Sequence, residues 1–167
     1  MTPGPERSQT VEKFAFETDA GVGYRARIGL LVLQTDQTLE TDLATLMAID
    51  GVALYHSRLA NDAVVTPETL VRMAQEVPRA AELIAPSLGI AAIGYACTSG
   101  ATIIGEERVA KILAGIHPGV PCTNPLTAAK AALKALGVFR VGLVTPYTPD
   151  VTGAMQENLS AAGIDVP

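Results

Sequence analysis

Short apolar runs alternate with helical segments along this chain, and this alternation restricts the fold more than any other feature. Four runs are mostly apolar: residues 28–33, 52–55, 90–96 and 138–144. Runs of this length are typical of strands buried on both faces of a parallel sheet. Helical spacing or helix-start residues predict helices at 38–49, 66–85, 103–116, 125–136 and 150–162, the second of them broken or restarted at Pro78, and a further strand begins at 164–166. The pattern predicts an α/β fold, in which a parallel sheet carries helices on both faces.

Composition excludes several classes of protein. Apolar residues make up 49% of the 167 residues and charged residues only 17%, which excludes intrinsic disorder. The net charge is −5 and basic residues do not cluster, so we expect neither nucleic-acid binding nor membrane binding. Two cysteines are too few for a disulfide framework, and the polar first 26 residues do not resemble a signal peptide. We therefore expect a cytoplasmic protein whose cysteines are reduced.

The order of the segments predicts a domain organisation. Residues 1–26 are polar and rich in Pro and Gly, and we interpret them as an N-terminal extension. Residues 27–137 then form a first α/β domain of Rossmann or flavodoxin-like type, ending in a crossover helix. Residues 138–167 form the opening βα unit of a second α/β domain, which stops as its next strand begins. This organisation predicts a fragment of a longer protein.

Hydroxyl-rich stretches follow three of the predicted strands. They are residues 34–38, 97–100 and 145–148, and each leads into a helix. In open α/β sheets ligands bind beyond the carboxyl ends of the strands, where hydroxyls and helix-start N–H groups can hold a carboxylate. A cysteine at such a place can act as a nucleophile or base, which makes Cys97 the best candidate. The alternative, a small buried residue at a strand end, does not explain the consecutive hydroxyls of Thr98 and Ser99.

The remaining candidates are weaker. Tyr147 is either a surface turn residue or a hydrogen-bonding group beyond a strand end, and the residues favour neither. Cys122 lies in a proline-flanked loop, where packing is the better explanation. His56 and His117 have no metal-ligand spacing to each other or to acids, so we expect no metal site.

Three motifs in order resemble one family. They are Ala-Cys-Thr-Ser-Gly at 96–100, Ala-Ala-Leu-Lys-Ala-Leu-Gly-Val at 131–138 and Val-Gly-Leu-Val-Thr-Pro-Tyr at 141–147. Together they resemble the aspartate/glutamate racemase superfamily, in the branch that contains maleate cis–trans isomerases and arylmalonate decarboxylases. Within that branch, the loop at 33–40 is most similar to the ectoine-utilization proteins.

The resemblance implies two pseudo-symmetric α/β domains with the active site between them, and neither metal nor organic cofactor. Each domain of the family carries a catalytic cysteine, and Cys97 matches the first. The second would lie beyond residue 167, and Cys122 lies too early to be it. Among the residues of this chain, the resemblance gives catalytic roles to Cys97 and Tyr147. The residues expected to bind the substrate are Asp36, Thr98, Ser99 and Thr145.

The resemblance also implies an activity and leaves alternatives open. We expect a cofactor-independent isomerase or racemase that acts on a small carboxylate substrate by cysteine chemistry. We also expect the enzyme to be a homo-oligomer and this chain alone to be an inactive fragment of it. One alternative is an arylmalonate-type decarboxylase, although that subgroup typically has glycine in place of Cys97. Another is a non-catalytic carboxylate-binding protein. Maleate isomerases usually have asparagine where this chain has Asp36. The aspartate either selects a nitrogen-bearing substrate or only caps the next helix, and we weigh these two interpretations equally.

Overall fold

The computed structural model describes residues 11–85 and 89–167. Residues 11–25 contain no helix or strand. The elements that follow are, in order, β1 (Ala26–Leu33), α1 (Leu39–Leu46), β2 (Val52–Leu59), α2 (Pro67–Met73), α3 (Val77–Glu82), β3 (Ala92–Tyr95), α4 (Thr98–Ile104), α5 (Glu106–Ile116), β4 (Cys122–Thr123), α6 (Pro125–Ala135) and α7 (Pro149–Ala161). No helix in these two ranges is both long and apolar enough to cross a membrane.

The four strands form one parallel sheet in the order β2-β1-β3-β4. The inner strand β1 is continuously apolar from Ile28 to Leu33, as expected for a strand that is covered on both faces. On one face Ile84, which follows α3, lies over Gly29, where a side chain larger than hydrogen would collide with it. On the other face Leu39 and Leu43 of α1 border an apolar groove of about 370 Å³ over Leu30. The predicted α/β fold, with a parallel sheet and helices on both faces, is confirmed.

Local signals explain where the helices begin. Thr66 and Thr69 form a reciprocal capping box at the start of α2, and Pro67 occupies the first helical position. The side chain of Asn124 accepts a hydrogen bond from the Thr127 N–H at the start of α6. The starts of α2 and α6 were predicted from Thr66 with Pro67 and from Pro125, and the predicted restart at Pro78 is found as α3.

Four segments differ from the sequence prediction. In place of the helix expected at 103–116 the structure has two helices, and the first of them, α4, begins five residues earlier, at Thr98. Gly105 separates α4 from α5, because its φ of +91° is not helical and favours glycine. The loop around Cys122 contributes β4, whose two residues pair with β3 and are too few to give an apolar pattern. The segments expected to form strands at 138–144 and 164–166 are joined by one parallel bridge, between Arg140 and Asp165. Within the described residues, neither segment pairs with a further strand.

The segment at 138–144 does not join the four-stranded sheet. Helix α7 follows it and packs against α4 through a buried stripe with helical spacing, consisting of Val151, Met155 and Leu159. The division into an extension (1–26), a first domain (27–137) and the opening of a second (138–167) stays a prediction.

Candidate active site

Cys97 lies where β3 ends and α4 begins. Its backbone is extended, with φ of −139° and ψ of 111°, and it occupies the N-cap position of α4. The Sγ atom accepts a hydrogen bond from the Gly100 N–H at 3.2 Å, and the Ser99 hydroxyl oxygen lies 3.6 Å from it. The side chain is only 4% exposed. The sulfur is therefore held at the carboxyl edge of the sheet by the polar residues that follow it.

Tyr95 shares this environment. It stands two residues before Cys97, and residues at this spacing in a strand point to the same face. Its side chain is fully buried, and its hydroxyl has no partner at hydrogen-bonding geometry in the described part of the chain. Burial raises the pKa of Tyr95, and the neighbouring Cys97 raises it further. Tyr95 was not predicted as a site residue, although a polar aromatic at this spacing in an apolar strand was the available signal.

A small cavity of about 20 Å³ lies beside Cys97 and Ser99. This volume is about that of one water molecule. Its other walls come from the end of β1, the segment after β2 and the inner face of α2: Leu33, Asn61, Asp62, Val64, Val65, Thr69, Leu70 and Met73. The carboxyl ends of three strands or of the segments that follow them therefore meet at this cavity, as expected for a ligand site in an open α/β sheet.

Asn61 connects this cavity to the loop after β1. Its Nδ2 donates to the Thr35 hydroxyl at 3.0 Å, and its Oδ1 accepts from the Thr35 N–H at 3.3 Å. The loop at 34–38 was selected from the sequence, but Asn61 was not. Its position two residues after β2, at the same edge of the sheet, was the signal that could have identified it.

Asp36 holds the start of α1. Its Oδ1 accepts from the backbone N–H groups of Thr38 at 2.9 Å and Leu39 at 2.8 Å. These two hydrogen bonds lower the pKa of Asp36, and the positive charge of Arg58 lowers it further, so the carboxylate is ionised at neutral pH. Asp36 therefore performs the capping role that was one of its two interpretations. A role in binding substrate stays a prediction.

Arg58 fixes the shape of the same loop from β2. Its Nη1 donates to the carbonyl oxygens of Asp36 at 2.8 Å and Gln34 at 3.2 Å, and more weakly to that of Leu33 at 3.4 Å. Its Nη2 forms an ion pair with Glu40 at 2.7 Å. The loop between β1 and α1 is thus tied at several points to the neighbouring strand, although no motif in the sequence indicated this.

The other predicted residues lie elsewhere. Thr98 is the first residue of α4, but it does not line the cavity beside Cys97. The Thr145 hydroxyl lies 2.6 Å from that of Thr152 on α7, and the Tyr147 N–H donates to Thr145 at 3.4 Å. The structure thus brings Cys97 and Ser99 together with Tyr95 and Asn61, while Thr145 and Tyr147 lie near the start of α7.

Cys122 and the histidines take no part in this arrangement. Cys122 pairs with Ile93 in the short strand β4 and is a free, partly buried thiol. The His117 Nε2 lies 2.9 Å from the Ala81 carbonyl oxygen. Within residues 11–85 and 89–167, His, Cys, Asp and Glu side chains form no group of three or more that could hold a metal ion.

Comparison with known proteins places this geometry in context. No protein-family model matches the chain. A maleate isomerase from Geobacillus stearothermophilus is 27% identical over 154 residues, which is 84% of this chain and 61% of that protein. The chain therefore spans about three fifths of the length of this relative.

Solved structures of two related enzymes have the same fold. One is the Nocardia farcinica maleate cis-trans isomerase, a cysteine-to-serine mutant with a covalently bound succinylcysteine intermediate. It is 28% identical to this chain with a TM-score of 0.72, over 84% of this chain and 61% of that one. Unliganded arylmalonate decarboxylase is 28% identical with a TM-score of 0.64, over 84% of this chain and 59% of that one. In both sequence and fold the chain is thus similar to maleate isomerases and arylmalonate decarboxylase, which supports the resemblance to that branch of the aspartate/glutamate racemase superfamily.

Proposed function

We propose that the protein containing this chain is a cofactor-independent isomerase or racemase that acts at a carbon adjacent to a carboxylate, with Cys97 as its reactive sulfur. The observation that carries this proposal is the position of Cys97 at the carboxyl edge of the sheet, with the Gly100 N–H donating to Sγ at 3.2 Å. The succinylcysteine in the Nocardia farcinica enzyme supports it, because there a cysteine bonds covalently to a four-carbon acid.

The reaction requires an electron pair on sulfur beside the substrate carboxylate. As a thiolate, Cys97 either adds to a carbon–carbon double bond or removes the proton from the α-carbon. In the first route a C–S bond forms and the electron pair of the double bond moves toward the carboxylate as an enolate. Rotation about the carbon–carbon bond, which is now single, and return of that electron pair re-form the double bond, break the C–S bond and release the thiolate. In the second route the carbanion takes a proton on its opposite face, and the family resemblance implies a second cysteine as the donor.

Hydrogen-bond donors stabilise the negative charge that develops in either route. In this proposal the hydroxyls of Thr98, Ser99 and Tyr147 hold the carboxylate together with nearby backbone N–H groups. Ser99 is already beside the sulfur, at 3.6 Å. Cytoplasmic location and assembly into a homo-oligomer remain predictions that accompany this function.

The test is the activity of a Cys97→Ser variant of the native protein that contains this chain, assayed on maleate, arylmalonates and amino acids. We expect turnover to fall by at least about a thousandfold, because a neutral hydroxyl lacks the nucleophilicity of a thiolate. The matched control is Cys122→Ser, which removes the other thiol and should keep near-parental activity. Retained turnover in Cys97→Ser would remove Cys97 from the mechanism.

The second candidate function is decarboxylation of arylmalonates. The similarity of the fold to arylmalonate decarboxylase favours it, at a TM-score of 0.64. That subgroup typically has glycine where this chain has Cys97, which favours the isomerase. Release of carbon dioxide from an arylmalonate by the native protein would establish this second function.

For the substrate we propose a molecule with one carboxylate and a nitrogen group, such as an acetylated diaminobutyrate from ectoine breakdown. The ionised carboxylate of Asp36 supports this, because it repels a second carboxylate and attracts an ammonium or amide N–H. Racemisation or epimerisation at the α-carbon would then be the natural reaction. The resemblance of residues 33–40 to the ectoine-utilization proteins points to the same substrate class.

An Asp36→Asn variant separates charge from capping. Asparagine accepts the same backbone hydrogen bonds at the start of a helix, so the loop should keep its shape while the negative charge is lost. We expect the variant to gain turnover of maleate. The control is Asp42→Asn, which removes an acidic residue from the first turn of α1 and should leave maleate turnover unchanged. A parental protein that already converts maleate efficiently would contradict the proposed substrate.

A further inference from the structure

Tyr95 carries a buried hydroxyl that packing alone does not explain. The side chain is fully buried, and its oxygen has no hydrogen-bond partner among residues 11–85 and 89–167. A buried hydroxyl without a partner destabilises a fold, and buried tyrosines usually find one. Phenylalanine would fill the same space without this cost. The presence of tyrosine therefore points to an acceptor that the hydroxyl serves in another state of the protein.

The candidate acceptor is the sulfur of Cys97. Gly100 shows how close the two groups are, because a methyl group built on its Cα would collide with the Tyr95 hydroxyl and lie 3.0 Å from the Cys97 Sγ. The two atoms therefore border the same small space above Gly100. The Gly100 N–H already donates to the sulfur at 3.2 Å, and Ser99 lies at 3.6 Å. The Tyr95 hydroxyl, which borders the same space, would add a third donor to this sulfur.

The chemistry of the two groups matches. A thiolate is a charged acceptor that needs hydrogen-bond donors when it is buried, whereas a neutral thiol is a weak acceptor. A tyrosine can serve as donor only while it is protonated. Burial and the adjacent Cys97 raise the pKa of Tyr95, which keeps its hydroxyl protonated throughout the neutral range. The unpartnered hydroxyl is thus available when the sulfur becomes charged.

We propose that Tyr95 is a positioning residue for Cys97, whose hydroxyl donates to the sulfur when it is ionised and so stabilises the thiolate. This inference rests on the proposed function, in which Cys97 reacts as a thiolate. Tyr95 does not touch the substrate in this scheme, and it acts through the sulfur alone. Its contribution is measurable without turnover, because ionisation of a thiol can be followed directly.

The experiment titrates Cys97 in the 167-residue chain by the ultraviolet absorbance of its thiolate. A Cys122→Ser background leaves Cys97 as the single thiol. We expect Tyr95→Phe to raise the midpoint of this titration by about one pH unit, which is a tenfold loss of thiolate at neutral pH, typical of losing one hydrogen bond to a charged group. The matched control is Tyr55→Phe on β2, which should titrate like the background protein.

A second substitution tests the opposite direction. Fluorinated tyrosine introduced at position 95 is a stronger donor of similar size, and it should lower the midpoint. If Tyr95→Phe and the fluorinated protein both titrate like the background and like Tyr55→Phe, the inference is overturned. That result would leave the proposed function intact, because the latter depends on the loss of turnover in Cys97→Ser. Retained turnover in Cys97→Ser, with a shifted Tyr95→Phe titration, would overturn the function and leave the positioning role.

Discussion

At the scale of single residues, the candidate site depends on a glycine that keeps a space open. Gly100 is buried in the first turns of α4, between Tyr95, Cys97 and Met73. A methyl group there would collide with the Tyr95 hydroxyl and lie 2.8 Å from the Met73 Cε. The absence of a side chain at Gly100 therefore lets the hydroxyl, the sulfur and the helix approach each other.

Gly100→Ala should destabilise the protein although alanine is the better helix former. Overpacking of a buried site costs roughly 1–3 kcal/mol, which exceeds the gain of about 1 kcal/mol in helix propensity. The control is Gly153→Ala in the middle of α7, where nothing lies within 4 Å of the new methyl group and only the gain should remain. Urea unfolding of both variants measures the two free energies. A Gly100→Ala variant as stable as Gly153→Ala would contradict the close approach seen here.

At the scale of elements, α5 and α6 are joined by a polar cluster. Glu106 in the first turn of α5 accepts hydrogen bonds from Thr127 and Lys130, both on α6. Burial alone would raise the pKa of Glu106, but the hydrogen bonds from Lys130 and Thr127 outweigh it and the pKa falls below its ordinary 4.5. The ionised form is thus favoured in the folded protein. Its contribution to stability is present above the pKa of the unfolded chain and is lost as the pH falls.

Glu106→Gln should therefore destabilise the protein at neutral pH and have a smaller effect in acid. At neutral pH the variant loses an ion pair whose side chains are 19% and 23% exposed, which we expect to cost about 1–2 kcal/mol. As the pH falls through the lowered pKa of Glu106, the parental carboxylate becomes protonated and the difference should shrink. The difference in stability is measured from the urea midpoints of the parental protein and the variant at neutral and at acidic pH. The control is Glu107→Gln, at the exposed neighbouring residue. An equal difference at both pH values would show that the charge of Glu106 is not the cause.

At the scale of the whole molecule, the strand order decides which loops meet. Because β1 lies between β2 and β3, the segments after these three strands converge at one edge of the sheet. The result is that Asn61, Cys97 and the loop at 34–38 lie together, although they are far apart in the chain. The chain spans 61% of the length of the curated maleate isomerase.

Several features follow from the sequence alone because their causes are local. Continuous apolar runs predict β1, β2 and β3, since such segments are stable only when covered on both faces. Thr66-Pro67 and Pro125 predict the starts of α2 and α6, because a capping side chain or a proline acts within one turn. Cys97, followed by two hydroxyls at a strand end, was identified for the same reason.

Other features were decided only by tertiary structure. The strand β4 exists because β3 offers free backbone groups to two residues that carry no pattern of their own. The start of α4 at Thr98 is an exception, because its cause is the local hydrogen bond from the Gly100 N–H to the Cys97 sulfur, although helical periodicity does not reveal it. Asn61 joins the site through its hydrogen bond to Thr35, and Tyr95 joins it because its hydroxyl lies close to Gly100. Pairing between strands and the approach of buried side chains depend on which segments the fold makes neighbours, and local sequence does not carry that information.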